Sequence, residues 1–339
     1  MKGKKVIAAL LVCMFAVFAL AGCGSEESSE APEKVVIGTQ GLMNLETYAE
    51  LEGLIEKHMD GTKVEFKNFN AGKDLNQAFA ADEIDFGVLG AAPVAVAWSS
   101  DIDYQVIYST AILTNTEAMV AKKDSGINSV KDLEGKTIAT TFTSTTHYSL
   151  LSVLKVKNVD VDKVKIVDME PDKIVAAWQR GDIDAAYTWN PALGTMKADG
   201  GKVIVTSGEV GDMGYPVADF AVVRTEFAEK YPAYVTKYLQ GILDAEKVFA
   251  DTPGKVYKSF GKHFEGYTAK DVKKAMADNY ITGADQIKED FETGDFADLI
   301  VKVSQFLADQ EQIPAVLEED FVKEHVVGSY LEDAVNADK

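Results

Sequence analysis

The chain has 339 residues, with 54 acidic residues against 34 Lys and Arg, and its formal net charge at pH 7 is −20. Nucleic acid repels so acidic a chain, and no basic run follows the first few residues, so we exclude that class of partner. The length exceeds that of one ordinary hydrophobic core, which predicts two lobes.

The N-terminus has the layout of an export signal. Three lysines within the first five residues precede an apolar run, Val6 to Ala21, that is too short to span a bilayer. The run ends in Leu20-Ala21-Gly22-Cys23, which resembles the lipobox of bacterial lipoproteins. We therefore predict a signal peptide over residues 1–22 and a lipid on Cys23. The alternative is an ordinary secretory signal cleaved near the same place.

The mature chain is expected to begin with a flexible acidic tether over residues 23–33, because that stretch is nearly free of apolar residues. Removal of the signal takes away three Lys and no acid, which leaves a net charge of −23. The mature chain then has no cysteine beyond the lipidated one, so no disulfide or catalytic thiol is expected. The charge disfavours a strongly anionic solute unless local donors outweigh it, whereas a zwitterion avoids the problem.

From Lys34 onward, short β-rich runs alternate with helical runs, which is typical of an α/β fold. The first unit is predicted to contain strands at 35–38, 63–66 and 84–89 and helices at 45–58, 75–81 and 94–99. A second unit is predicted to contain strands at 137–141, 164–167, 185–188 and 203–205, with helices at 131–135, 146–157 and 172–180 and another from 192. The chain returns to the first unit through residues 218–223 and continues as helices.

These elements predict two α/β lobes, one inserted within the other. Lobe 1 is predicted to comprise residues 34–121 and 216–339, and lobe 2 residues 122–215. Glu83-Ile84-Asp85-Phe86 before Pro93 is echoed by Asp182-Ile183-Asp184-Ala185 before Pro191, which favours two similar lobes. Two crossover segments would leave a cleft that can close on a ligand.

Catalytic and metal motifs are scarce. Gly135-Lys136-Thr137 lacks the first glycine of a phosphate-binding loop, and no Gly-x-Ser-x-Gly elbow occurs. The four histidines are scattered and have no zinc spacing, so no metal and no cofactor are expected. We predict a binding protein rather than an enzyme.

The segment from Thr141 to Ser149 joins a strand to a helix and is crowded with hydroxyls around His147. Free amides at a helix N-terminus, together with hydroxyls, form a natural anion cradle, although simple helix capping would also select Ser and Thr. Asp219 lies within an apolar strand, where a carboxylate needs a cation from the protein or from a ligand. Trp189 and Tyr215 could form the wall of such a pocket, or could simply belong to the core.

Two motifs, residues 143–151 (TSTTHYSLL) and 174–184 (IVAAWQRGDID), strongly resemble the taurine-binding proteins of ABC importers. Residues 220–231, 305–307 and 313–316 are similar too, so the likeness spans most of the chain after the tether. The resemblance implies a two-lobed periplasmic-binding-protein fold of the type II kind, a ligand in the cleft and delivery to a permease. A monomer, anchored by its lipid outside the cytoplasm, is expected.

The resemblance also implies roles for individual residues. Thr145, Thr146 and His147, with the loop Gly90-Ala91-Ala92, would hold the sulfonate. Gln40 would add a donor, Trp189 would pack on the ligand, and Asp219 would take the ammonium. The family often has hydroxyl residues where this chain has Ala91 and Ala92, and Met43 and Asn44 also depart from its pattern. The solute could therefore be another alkanesulfonate, a thiamine-precursor pyrimidine or a betaine-like zwitterion.

Overall fold

The apolar runs of the sequence form two five-stranded sheets in the computed structural model, which describes residues 31–277 and 283–337. The predicted signal peptide (1–22), the lipidation site Cys23 and most of the tether lie outside these ranges. From Pro32 onward, the chain forms one compact unit. The α/β class expected from the sequence is confirmed.

The first sheet contains five strands. Its strands are β1 (Lys34–Thr39), β2 (Lys63–Asn68), β3 (Phe86–Gly90), β4 (Tyr104–Ile112) and β10 (Ala218–Arg224). Their order is β2-β1-β3-β10-β4, and β10 runs antiparallel to its neighbours β3 and β4. The burial of nearly every residue in β1, β3 and β10 explains why these strands read as continuous apolar runs.

The second sheet repeats this arrangement. Its strands are β5 (Glu117–Ala121), β6 (Thr137–Thr140), β7 (Lys165–Asp168), β8 (Ala185–Trp189) and β9 (Lys202–Thr206). Their order is β7-β6-β8-β5-β9, with β5 antiparallel to β8 and β9. In both sheets, therefore, the antiparallel strand is the one that arrives from the other half of the chain.

The sequence echo marks equivalent positions in the two sheets. Asp85, just before β3, accepts the backbone N–H of Val36 in β1 at 2.9 Å. Asp184, just before β8, accepts the backbone N–H of Thr137 in β6 at 2.8 Å. Each carboxylate therefore joins the third strand, in the spatial order of its sheet, to the second, which explains why Ile-Asp recurs at the same place.

The point at which the chain passes from the first sheet to the second differs from the lobe boundary that we predicted at residue 121. We assigned residues up to 121 to lobe 1, but β5 pairs in the second sheet, so the chain changes sheets between residues 112 and 117. It returns between residues 206 and 218, close to the predicted boundary at 215. Local pattern could not reveal this, because a buried strand looks the same in either sheet.

Helices cover both sheets. They are α1 (Leu45–Leu51), α2 (Leu54–His58), α3 (Gly72–Ala80), α4 (Ala91–Trp98), α5 (Thr145–Val156), α6 (Pro171–Arg180), α7 (Ala192–Ala198), α8 (Ser207–Asp212), α9 (Thr225–Lys230), α10 (Pro232–Asp251), α11 (Pro253–His263), α12 (Ala269–Ala277), α13 (Ala284–Thr293), α14 (Asp295–Asp309), α15 (Glu319–His325) and α16 (Ser329–Ala337). Within the described ranges, no helix is both long and apolar enough to cross a membrane.

Two predicted helices differ in the structure. The helix expected over 45–58 is broken into α1 and α2, because Gly53 adopts a left-handed conformation with φ of 64°. The segment expected as a helix at 131–135 is a single 3₁₀ turn, Val130–Leu133. Both differences are local and leave the order of the sheets unchanged.

One helix connects the cores of the two halves. Tyr148 and Leu151 on α5 belong to the same buried cluster as the side chains of the first sheet, whereas Leu150 and Val153 face the second. The ring of Tyr148 packs edge-on against Phe306 of α14 with the ring centroids 5.0 Å apart. The start of α5 is thereby held where the two sheets approach each other.

Candidate functional site

A pocket lies where strands of both sheets end. Gln40 follows β1, Gly90 ends β3, Ser144 and Thr145 follow β6, and Trp189 ends β8. The complete lining is Gln40, Leu42, Met43, Asn44, Gly72, Gly90, Pro93, Ala111, Leu113, Thr116, Glu117, Ser144, Thr145, Trp189, Asn190, Asp219 and Ala275. The carboxyl ends of the strands in an open α/β sheet are the expected place for a ligand.

The pocket is small. Its cavity volume is about 70 Å³. Since one water needs roughly 10–15 Å³ by this measure, the space corresponds to about five to seven water-sized atoms. Such a volume suits a solute with few non-hydrogen atoms.

Two helix N-termini supply free backbone amides to this space. The N-cap of α4 is Gly90, which has no side chain, and Pro93 in the first turn has no N–H, so the first-turn amides of α4 are those of Ala91 and Ala92. The N-cap of α5 is Ser144, whose hydroxyl accepts one first-turn amide, that of His147, at 3.3 Å. The remaining first-turn amides, at the positive end of each helix dipole, can bind an anion.

Gly90 is where the two halves of the site approach most closely. A Cβ at this position would lie 2.3 Å from Cγ2 of Thr145 and 3.3 Å from Oδ1 of Asp219. A side chain at this position therefore requires the Thr145 side chain, or α5 with it, to move. Glycine is therefore required by the contact across the cleft, rather than by backbone conformation.

Asp219 contributes a carboxylate to the pocket from β10, where it lies opposite Gly90. Among the described residues, no Lys, Arg or His forms an ion pair with it. Burial raises the pKa of Asp219 to about 7. The sequence predicts that this acid needs a cationic partner. Since no described residue provides one, the cation would have to come from a ligand.

Glu117 is a second carboxylate that sequence reasoning missed. It lies on β5, is only 4% exposed, and accepts hydrogen bonds from the hydroxyls of Thr145 and Ser207, the latter at 3.0 Å. Burial, reinforced by the charge of Asp219, raises its pKa to about 8. The signal was present, because Glu117 begins an apolar strand just as Asp219 interrupts one.

Of the residues predicted to bind the ligand, five line the pocket: Gln40, Gly90, Thr145, Trp189 and Asp219. Two of them are already engaged within the protein. The side-chain amide of Gln40 donates to the carbonyl of Val88 at 2.7 Å, and the Thr145 hydroxyl donates to Glu117. The backbone amide of Thr145, in the first turn of α5, is the group of that residue best placed for an anion.

The other five predicted residues lie outside the lining. Ala91 and Ala92 are fully buried in the first turn of α4. The hydroxyl of Thr146 hydrogen-bonds those of Thr140 and Ser144, at 3.0 and 2.8 Å, and so supports the cap of α5. Tyr215 packs against Phe306 with the ring centroids 5.4 Å apart.

His147 is buried rather than presented to the cleft. Its ring stacks on Phe142 with a centroid separation of 4.4 Å. Burial lowers the pKa of His147 to about 4, so the ring is neutral at physiological pH. It therefore brings no positive charge to an anion, and indeed no Lys, Arg or His is among the described residues that line the pocket.

Metal chemistry has no evident place in this arrangement. Within residues 31–277 and 283–337, no three His, Cys, Asp or Glu side chains are grouped so that they could hold a metal ion. The pocket instead contains two carboxylates, Glu117 and Asp219, and uncharged hydrogen-bond donors. Among the described residues, neither carboxylate has a cationic partner. That division suits a small molecule carrying a cation at one end and an anion at the other.

Comparison with known proteins agrees with this geometry. The profile of the family described as NMT1/THI5 like matches residues 58–256. The chain is 38% identical to the taurine-binding periplasmic protein of Escherichia coli (strain K12), over 76% of this chain and 80% of that protein. It is 28% identical to a putative aliphatic sulfonates-binding protein of Bacillus subtilis (strain 168), over 96% of each.

Solved structures share the fold. The alkanesulfonate-binding protein SsuA from Xanthomonas axonopodis pv. citri, bound to MOPS, superposes with a TM-score of 0.71 at 21% identity, over 88% of this chain and 99% of that one. The desulfurization enzyme DSZB superposes with a TM-score of 0.64 at 15% identity, over 90% of this chain and 100% of that one. The two-lobed binding-protein fold expected from the sequence is confirmed.

Proposed function

Because this chain belongs to the NMT1/THI5-like family and is 38% identical to the E. coli taurine-binding periplasmic protein, we propose that it binds taurine for an ABC importer. It would capture the solute outside the cytoplasm and deliver it to the importer's permease. The choice of solute rests on one observation. Glu117 and Asp219 both line the pocket, and no Lys, Arg or His is among its described lining residues.

The two carboxylates form the ammonium end of the proposed site. A primary ammonium has three N–H donors and one charge, which suits the oxygens of Glu117 and Asp219. Their charges repel each other in the empty pocket, since Asp219 contributes to the raised pKa of Glu117. A ligand cation between them relieves that repulsion, so the site gains free energy from the ammonium that a plain alkanesulfonate cannot supply.

The helix N-termini form the sulfonate end. A sulfonate is permanently ionised and accepts hydrogen bonds without donating any, so it matches backbone amides in the first turns of α4 and α5. Uncharged donors of this kind bind the anion without a competing protein cation that would neutralise Asp219. This also explains how so acidic a protein can hold an anionic group.

The alternative solutes fit the pocket less well. Its small cavity disfavours a thiamine-precursor pyrimidine or a bulky sulfonate such as MOPS. A betaine-like cation has no N–H to donate and is usually held by several aromatic faces, but Trp189 is the one aromatic residue among the described residues of the lining. Small alkanesulfonates remain the second candidate, since the relatives include aliphatic sulfonate-binding proteins by name.

Titration calorimetry with taurine and ethanesulfonate, which differ by the amine, tests the proposal. We expect Asp219→Asn and Glu117→Gln each to weaken taurine binding by about tenfold or more, because a charged hydrogen-bond partner is lost, and to affect ethanesulfonate much less. Glu265→Gln removes an exposed acid and serves as the charge-matched control. Equal losses for the two ligands would exclude the ammonium role, and absence of taurine binding to the unaltered protein would exclude taurine.

Binding without chemistry is the second part of the proposal. The named relatives are binding proteins, although DSZB shows that an enzyme can share the fold. The two cysteines of this chain, Cys13 and Cys23, both precede the described residues, so the pocket has no thiol nucleophile among its described lining. Recovery of unaltered taurine after prolonged incubation with the protein is expected, and release of sulfite or an aldehyde would contradict it.

We further propose that Cys23 carries a lipid and that residues 23–33 tether the protein to the outer face of a membrane. The lipobox-like Leu20-Ala21-Gly22-Cys23 supports the first point, and the acidic, apolar-poor composition of the tether supports the second. Mass spectrometry of the mature N-terminus should find a diacylated cysteine. Cys23→Ser should release the protein from membranes, and a water-soluble wild-type protein would contradict the anchor.

The proposed lobes follow the two sheets. Residues 34–112 with 218–277 and 283–337 would form one lobe and residues 117–206 the other, so that the segments between the sheets act as hinges. Glu117 lies at the end of one hinge and Asp219 at the end of the other. A ligand that joins them would therefore favour closure of the cleft.

A further inference from the structure

Lys73 lies at the start of α3 in the first lobe, directly after Gly72 of the pocket lining. Its ammonium reaches across to the second lobe, where it lies 2.5 Å from Glu170 and 3.4 Å from Asp168. Asp168 ends β7 and Glu170 precedes α6. These charges are thus brought together only by the approach of the two lobes.

The pair is shielded enough to have energetic consequences. The side chain of Glu170 is 18% exposed and that of Lys73 is 31% exposed, whereas Asp168 is 42% exposed. Both carboxylate oxygens of Glu170 are covered, and Lys73 is the one cation within ion-pair distance among the described residues. Removal of Lys73 would leave Glu170 as an uncompensated buried charge when the cleft is closed. Glu170 would be hydrated when the cleft is open, so the substitution would favour the open state.

Asp168 and its neighbour Met169 also hold the binding turn, residues 141–144. The other oxygen of Asp168 accepts the backbone N–H of Phe142 at 2.9 Å, and the hydroxyl of Thr141 donates to the carbonyl of Met169 at 2.8 Å. Residues 141 and 142 lead directly into Ser144, the N-cap of α5. Lys73 is therefore joined through Asp168 to the turn that leads into the first turn of α5.

We propose that Lys73 is a positioning residue that clamps the cleft shut over the bound solute through Glu170 and Asp168, and so sets the rate of ligand release. Lys73 does not touch the ligand and acts through the two acids and the turn. The inference rests on the proposed function as a solute-binding protein. It adds a determinant of residence time that lies outside the pocket.

Stopped-flow measurement of taurine binding to the mature chain tests the clamp. Lys73→Met is expected to raise the dissociation rate about tenfold, an effect reduced from that of a fully buried pair by the exposure of Lys73, and to leave the association rate nearly unchanged. Added salt should speed dissociation from the wild-type protein, and this dependence should be weaker in Lys73→Met. Lys73→Arg should restore most of the residence time.

The matched control is Lys67→Met, which removes the same charge from an ion pair with Glu83 that lies within the first lobe at 3.2 Å. If Lys67→Met and Lys73→Met change the dissociation rate equally, the clamp is excluded. A double-mutant cycle with Glu170→Gln should show that the two changes are not additive. Full additivity would likewise exclude a direct partnership of Lys73 with Glu170.

A ligand-independent measurement separates failure of the clamp from failure of the proposed solute. Spin labels at Lys57→Cys in α2 and Lys131→Cys in the second lobe report the distance between the lobes, in a mature chain with Cys23→Ser. Lys73→Met should shift the distribution toward longer distances, with or without taurine. An unchanged distribution refutes the clamp, whereas a shift in a protein that does not bind taurine refutes only the solute.

Discussion

The pH dependence of taurine binding follows from the two carboxylates of the pocket. Burial raises the pKa of Glu117 to about 8 and that of Asp219 to about 7, so the empty site retains protons near neutral pH. An ammonium placed between the two oxygens favours their ionised forms and displaces protons. Lowering the pH from 8 to 6 should therefore weaken taurine binding.

The magnitude depends on how many protons the ligand displaces. If only Asp219 must ionise, its protonation at pH 6 weakens binding about tenfold relative to pH 8. If Glu117 must ionise as well, the product of the two protonation equilibria gives a loss of about 500-fold. Ethanesulfonate should show the opposite sign, because its anion is better tolerated when the carboxylates are neutral.

Calorimetry in buffers of different ionisation enthalpy measures both the affinity and the number of protons released. Near pH 7 we expect release of about 0.5 proton per taurine if only Asp219 must ionise and about 1.4 if Glu117 must ionise as well, and uptake or no change for ethanesulfonate. In Asp219→Asn, the release should fall by about one proton or less. Taurine affinity that is flat from pH 6 to 8, or parallel pH profiles for the two ligands, would refute the placement of the ammonium between these acids.

Three further outcomes are expected. Gly90→Ala should abolish tight binding, because its Cβ would lie 2.3 Å from Thr145 and keep the cleft open, while Gly254→Ala, with no atom within 4 Å, should leave calorimetric affinity unchanged. Glu117→Gln should raise the melting temperature of the ligand-free protein at pH 8 but not at pH 5. The reason is that the raised pKa of Glu117 in the folded state makes the free energy of unfolding fall as the pH rises from the ordinary carboxyl value of 4.5 to about 8. At pH 8 we expect this loss of stability, which Glu117→Gln removes, to be about 2–4 kcal/mol. Asp85→Ala should lower the free energy of unfolding in urea by about 1–3 kcal/mol, because it leaves the Val36 amide without its acceptor and removes the carboxylate 2.9 Å from Arg224, which then keeps only the exposed Glu226 and Asp82 as partners. A loss below about 0.5 kcal/mol would contradict this role.

The sequence by itself determined the class of fold and part of the site. Alternating strands and helices indicated two α/β units, and the repeated Ile-Asp pointed to equivalent strands that the structure places third in each sheet. An acid within an apolar strand identified Asp219, and the hydroxyl-rich turn identified the start of α5. Burial and helix capping are local properties, so they leave a pattern in neighbouring residues from which these positions can be inferred.

Tertiary structure alone decided which of those residues line the pocket. His147 and Tyr215 find aromatic partners, Ala91 and Ala92 face the core, and Glu117 enters the pocket because β5 pairs in the second sheet. The clamp joins Lys73 to acids that lie 95 and 97 positions further along the chain. Strand pairing and lobe approach depend on contacts between distant segments, so no local pattern encodes which side chains they bring together.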